Sequence, residues 1–185
     1  MSDVMRYADG PRVECEVRVA APAKTVWELV TDIRLPARFG PELQRVAWLD
    51  GAQGPCSGAR FEGFNQHPLI GEWRTVSHVV ELAEPEVFAW AVTDADGRYG
   101  APSADPAERL ATWRYELNSR DGGRETLLRQ SAVLGPGRSG VTLAVERRPD
   151  REEEIIAARL KELRAGMEAT LDGIRQLAER AERSR

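Results

Sequence analysis

The sequence predicts an α+β fold: a curved antiparallel seven-stranded sheet wrapped around a long C-terminal helix, with two short helices between strands 1 and 2. Three features predict it. Residues 12–20, RVECEVRVA, alternate apolar and charged positions, the period-two signature of a half-buried strand. From residue 42 to 134, strand-like runs follow one another with only turn signals between most of them, and strands joined so closely pair antiparallel. From Ile156 to Ala181, apolar residues recur at three- and four-residue intervals. A twisted sheet with one apolar face buries that face by curling around such a helix.

In chain order, Val13, Cys15, Val17 and Val19 form the apolar side of the first strand. Pro22 ends it and suits the start of a helix carrying Val26, Trp27, Leu29, Val30 and Ile33 at helical spacing. Pro36 and Pro41 bracket ARFG and leave room for one more helical turn, so two small helices form a bent V before ELQRVAWLDG resumes as strand. Residues 58–66, 71–82, 86–93, 110–119 and 124–134 read as the next strands, divided by HPLIG, AEPE and RDGG; Asp121, Gly122 and Gly123 give the strongest hairpin cue. DADGRYGAPSADPAER and GPGRSGVTLAVERRPD read as long loops, which in compact domains often serve as lids or binding segments. The last helix carries Ile156, Leu160, Leu163, Met167, Leu171, Ile174, Leu177 and Ala181 on one stripe, and at ~1.5 Å per residue it spans roughly 50 Å. Asp150 is its expected N-cap with Glu153 three residues on, its first turn is acidic, and Arg180 and Arg183 close it, all in the sense the helix dipole favours.

Composition narrows the function. A chain of 185 residues is expected to form one domain over 1–185, with residues 1–10 a flexible N-terminus. A hydrophobic fraction of 42%, 30% charged residues and a net charge of -4 describe an ordinary globular protein. The mild acidity and the interleaving of arginine with glutamate argue against a nucleic-acid partner, which needs a basic face. The start MSDVMRYADG lacks the basic and apolar runs of a secretory signal, and no stretch approaches the ~20 apolar residues that cross a bilayer, so a cytoplasmic location is expected. Cys15 is expected in the core and Cys56 in a loop, both as thiols. No cofactor or metal is expected. His67 and His78 are far apart without a carboxylate cluster, and no P-loop, strand-linked GxGxxG or serine nucleophile motif occurs.

The element order, together with VAAPAKTVWELVTDI after the first strand, GARFEGFN and GEWRTVSHVVELAEPEVFAWAV in the middle, ATWRYEL near the sixth strand and MEATLDGIRQLAE in the last helix, resembles the START-like superfamily. This is the SRPBCC or birch-pollen-allergen-like group, and within it the match is to bacterial polyketide cyclase/dehydrase-type proteins. The resemblance covers nearly the whole chain and implies a helix-grip fold with a cavity between sheet and long helix. It also implies an apolar ligand such as a lipid, sterol or polyketide, on which a minority of members act as catalysts. A shared fold does not by itself supply the function.

Strand alternation groups the site candidates. If Trp73 faces inward, Thr75, Ser77 and Val79 share its side; the same rule groups Phe61, Gly63 and Asn65, then Phe88, Trp90 and Val92, then Trp113, Tyr115 and Leu117. Large apolar bodies mixed with a few polar tips suit a small-molecule pocket, although aromatic rings also fill ordinary cores. Val76, Val80 and Leu82 then lie on the outer face, which requires a covering loop, a second subunit in a homodimer, or a register shifted by one that turns His78 inward. Asn65 either offers a pocket amide or ties down the HPLIG turn, where His67 is expected to be solvent-exposed. Met167 and Leu171 would roof the cavity or simply pack. The expected function is binding of a small hydrophobic, polyketide- or lipid-like molecule, oriented by Asn65, Thr75, Ser77 and Tyr115. The alternative is an aromatase, cyclase or dehydrase working by general acid/base chemistry, for which the resemblance implies an inward arginine and tyrosine. Tyr115 is available, but Arg74 is expected to face outward.

Overall fold

A computed structural model of the chain describes residues 5–184. The strands are β1 (Arg12–Val19), β2 (Leu43–Trp48), β3 (Arg60–His67), β4 (Gly71–Ala83), β5 (Val87–Thr93), β6 (Ala111–Arg120) and β7 (Glu125–Leu134). The helices are α1 (Ala23–Val30), α2 (Gly140–Arg147) and α3 (Glu152–Arg183). Among the described residues the seven strands form one antiparallel sheet in the order β1-β7-β6-β5-β4-β3-β2. The seventh strand returns to the first, so α1 and the proline-bounded turn Leu35–Arg38 bridge the two edges of the sheet. This is the helix-grip α+β architecture.

Two elements differ from their expected form. The stretch expected as a loop after residue 134 contains α2, whose entry is fixed by the Ser139 N–H donating to Thr142 Oγ1 at 2.8 Å. A threonine at the third helical position replaces the glutamate or glutamine of the usual capping box, and two helical turns are too short for a visible apolar stripe. Asp150 is not the cap of α3: Pro149–Arg151 form a tight turn, and the helix starts at Glu152 with no side-chain cap. Glu152 instead accepts a hydrogen bond from the Tyr7 N–H at 2.8 Å. The acidic first turn and basic last turn of α3 are as expected. The expected flexible segment 1–10 falls partly on residues 1–4, outside those described; Tyr7 is buried, and its hydroxyl donates to the Gly137 carbonyl at 2.8 Å.

Cross-strand pairs settle the register. Phe61 pairs with Ser77, Gly63 with Thr75 and Asn65 with Trp73, so these six share one face, as the alternation predicts. A bulge in β4 then shifts the phase: Val79 pairs with Trp90, but Glu81 pairs with Ala89 and Leu82 with Phe88. Leu82 therefore points to the Trp73 side and packs on the core, contrary to strict alternation, while Val80 is the exposed bulge residue. The outer face around Val76 and His78 is covered by the segment after β5. The turn Pro106–Glu108 packs on β5, Arg109 donates to Thr112 Oγ1 at 2.8 Å, and His78 Nε2 lies 3.3 Å from Thr93 Oγ1. Of the three explanations for an apolar outer face, the covering loop accounts for Val76 and the phase shift for Leu82, while Val80 stays exposed.

The core divides along α3. The row Leu117, Leu128 and Val17 and the row Thr126 and Val19 pack under the C-terminal half of α3, where Leu171, Ile174 and Ala178 are almost fully buried against Val26, Trp27 and Val30 of α1. Under the N-terminal half α3 stays on the β1 edge, where Cys15 Sγ lies 4.0 Å from the Arg164 carbonyl, and parts from the middle strands of the sheet.

Candidate functional site

The separation encloses a cavity of about 620 Å³. It is floored by three successive inward rows of the sheet. These are Ser77, Val92, Ala111 and Leu134, then Trp90 and Trp113, then Phe88, Tyr115 and Gln130. The next row, Leu117 and Leu128, is solid core and does not border the space. The Tyr115 row is therefore the inner end, and the β3–β4 hairpin, Tyr99 and Gly140 stand at the other. At Gly63 the wall is closely packed, since a Cβ there would stand 3.1 Å from Leu43 Cδ1 and 3.4 Å from Thr75 Oγ1. On the helix side the space is bordered by Arg159, Glu162, Leu163, Gly166, Met167 and Thr170.

Of the sequence-predicted site residues, Phe61, Asn65, Trp73, Thr75, Ser77, Phe88, Trp90, Trp113, Tyr115 and Met167 border the cavity. Leu171 does not. One turn beyond Met167, it is packed in the closed half, so its stripe position reflects core burial. Asn65 lies on the wall and donates to its own strand at Gly63 O (3.4 Å) rather than tying down the turn. The rings form one connected cluster: Trp90 stacks on Trp113 with centroids 6.3 Å apart and touches Phe61, Phe88 and Tyr115 at 6.0, 5.1 and 5.8 Å. Such offset and tilted contacts are the preferred aromatic geometries.

Charge is confined to the mouth. Arg159 makes a two-pronged contact with Glu42 (2.7 and 2.9 Å) and a further one with Glu162 (3.2 Å). Burial disfavours its charge, but the hydrogen bonds to Glu42 and Glu162 outweigh this and hold its pKa above the ordinary value. His67 is not the solvent-exposed turn residue expected. Its side chain is 16% exposed, Nδ1 accepts from the Leu69 N–H at 3.1 Å, and Nε2 faces Glu162 at 3.6 Å. Arg98 reaches across from the segment after β5 to the Ile70 and Glu72 carbonyls, tying that segment to the same hairpin.

Deeper in, among the described residues, the walls hold no carboxylate, imidazole or guanidinium. Arg74 faces outward, paired with Glu62 (2.8 Å) and Asp96 (2.7 Å), as expected. The inner polar groups are Thr75, Ser77, Tyr115, Gln130 and Thr170, and Thr170 spends its hydroxyl on the Gly166 carbonyl (2.9 Å). Tyr115 and Gln130 are direct cross-strand partners, only 1% and 4% exposed, and neither the phenol oxygen nor the amide Oε1 has a hydrogen-bond partner. Burial pushes the Tyr115 phenol well above its ordinary pKa, so it stays protonated. Gln130 escapes the aromatic reading of the sequence, but its signal is present: in the inward set Thr126, Leu128, Gln130, Ala132 and Leu134 a long amide sits among apolar neighbours.

Residues 11–179 match the family model described as polyketide cyclase/dehydrase and lipid transport. The chain belongs to that family. Similar solved structures include a polyketide-cyclase-like protein of Corynebacterium glutamicum, 27% identical over 91% of both chains with a TM-score of 0.60. The Zhui aromatase/cyclase of a Streptomyces species is 20% identical over 92% of this chain and 94% of its own, with a TM-score of 0.61. The di-domain ARO/CYC protein BexL is 18% identical, with this chain spanning 91% of itself and 50% of BexL at a TM-score of 0.62. No curated protein matches the sequence. No helix among the described residues is long and apolar enough to cross a membrane.

Proposed function

We propose that this member of the polyketide cyclase/dehydrase and lipid transport family binds a small apolar, polyketide- or lipid-like molecule in the cavity between sheet and α3, in the cytoplasm. The observation that carries the reading is an aromatic-walled space of about 620 Å³ with all its ionic groups at the mouth. That volume falls within the usual range of ligand pockets. Burial of the guest's carbon skeleton, at roughly 25 cal/mol per Å², supplies most of the affinity. Thr75, Ser77, Asn65 and Tyr115 orient it.

An aromatase, cyclase or dehydrase activity is the second reading, favoured by the fold shared with Zhui and BexL. General acid/base catalysis calls for a group that changes protonation near neutral pH beside the guest. Tyr115 is held protonated, Arg74 and His78 face away, and His67 stands at the mouth. Binding is therefore the better-supported role.

The test is titration of the protein with the neutral dye phenylnaphthylamine, read by fluorescence, alongside the Gly166→Leu variant. A Cβ at Gly166 would meet nothing within 4 Å, and the residue borders the cavity, so leucine fills the space without disturbing the helix. Saturable binding lost in Gly166→Leu is expected. No binding to the unmodified protein, or binding that survives in a folded Gly166→Leu protein, refutes the cavity as the site.

A further inference from the structure

Tyr115 and Gln130 form a matched donor and acceptor at the inner end of the cavity, and among the described residues neither the phenol nor Oε1 finds a partner. We infer that the Tyr115–Gln130 pair is a specificity subsite for an uncharged hydroxyl group on the leading end of the guest, a phenol or alcohol rather than a ketone or a carboxylate. The inference rests on the cavity being a ligand site and adds which chemical class it accepts.

Buried polar side-chain atoms are nearly always paired, and leaving one bare is costly, so two bare atoms on adjacent strands in one cavity wall mark a place where a partner arrives from outside the chain. The phenol keeps its proton and can donate. Gln130 Oε1 can only accept. A hydroxyl is the small neutral group that accepts from the first and donates to the second at once; a ketone satisfies Tyr115 and leaves Oε1 bare. A carboxylate fails twice, because it has no proton for Oε1 and the bordering guanidinium, Arg159, is at the mouth and engaged by Glu42 and Glu162. The Trp90 ring lies 5.8 Å from that of Tyr115, beside the pair. Trp90 and Trp113 are themselves only partly buried because they face the cavity, and a flat guest that stacks on them brings its leading edge to the pair.

The test displaces bound phenylnaphthylamine with four probes of one skeleton: naphthalene, naphthol, acetylnaphthalene and naphthoate. With two hydrogen bonds to buried groups gained, naphthol is expected to bind about tenfold more tightly than naphthalene, acetylnaphthalene in between and naphthoate weakest. Tyr115→Phe and Gln130→Leu should each bring naphthol close to naphthalene, so that the ratio of the two affinities within each variant falls towards one. Equal binding of naphthol and acetylnaphthalene, or a naphthol preference that persists in both variants, overturns the subsite and leaves the cavity reading standing. Failure of all four probes, with no dye bound, overturns the cavity reading and the subsite with it.

Discussion

The two halves of α3 do opposite work on one continuous amphipathic stripe, and two glycines mark the difference. At Gly173 the helix presses on Phe39, so close that an added Cβ would lie 2.5 Å from the ring. At Gly166, two turns earlier, the same addition would meet nothing within 4 Å. The closed half is packed throughout; the open half keeps Ile156 and Met167 buried but leaves a space beside Gly166. Periodicity alone does not separate the two, because a residue facing a void and a residue facing a packed ring occupy the same stripe.

The largest expected effect breaks the closed half. Gly173→Ala forces Phe39 off its seat and should destabilise the fold by about 1–3 kcal/mol, the usual cost of overpacking. Gly166→Ala should do the reverse, raising stability by up to about 1 kcal/mol, since it removes the backbone entropy of a helical glycine without a clash. Urea unfolding of the two variants checks the pair. If both shift the midpoint in the same direction, the division of α3 into a packed and an open half is wrong.

How far the sequence reveals this division depends on which physical signal each residue carries. The seven strands, the bent pair of short helices and α3 were legible because period-two and 3.6-residue patterns follow directly from backbone geometry. The inward set through Phe61, Trp73, Phe88, Trp113 and Tyr115 was legible for the same reason. Leu82 was not, since a bulge changes the phase of a strand without a residue type that announces it. Nor was Leu171 separable from Met167, because the void ends within one helical turn and hydrophobicity is the same on both sides. The mouth ion cluster joins Glu42, His67, Arg159 and Glu162 from three distant segments, and only the fold brings them together. Gln130 shows the opposite case, a lone amide whose place in the apolar inward set of β7 follows from strand alternation alone.

A smaller effect sharpens the comparison from the cavity side. The bare Tyr115 hydroxyl costs the protein stability, whereas among the described residues the Leu117–Leu128 and Val19–Thr126 rows of the closed half carry no such group, the bare atom there being Arg175 Nε on α3. Tyr115→Phe should therefore stabilise the apoprotein by about 1 kcal/mol, a rise of roughly 2–4 °C in Tm. Scanning calorimetry without ligand reads this directly. A lower Tm would mean that the hydroxyl already has a partner and that the inner end of the cavity is ordinary core.

The smallest expected effect lies on the outer face and asks whether the covering loop, rather than the cavity, sets the protein's response to acid. His78 is buried under the segment after β5, and burial lowers its pKa below the ordinary 6.5, with nearby Arg60 acting in the same sense and Asp105 opposing it. The Thr93 hydroxyl donates to the Val76 carbonyl at 3.0 Å, so its oxygen is left to accept from the His78 Nε2–H. The folded chain thus holds a neutral imidazole that the unfolded chain would protonate below pH 6.5. Stability is unaffected by this group above that pH, falls as the pH drops through it, and levels off once the pH lies below the folded value. The loss should be smaller than the effects expected at Gly173, Gly166 and Tyr115, because one partly opposed imidazole carries it. His78→Gln keeps a donor for Thr93 and has no titrating ring, so its stability should lack this component between pH 7 and 5. Identical pH slopes for the two proteins would show that His78 is solvated and that the segment after β5 does not seal the outer face.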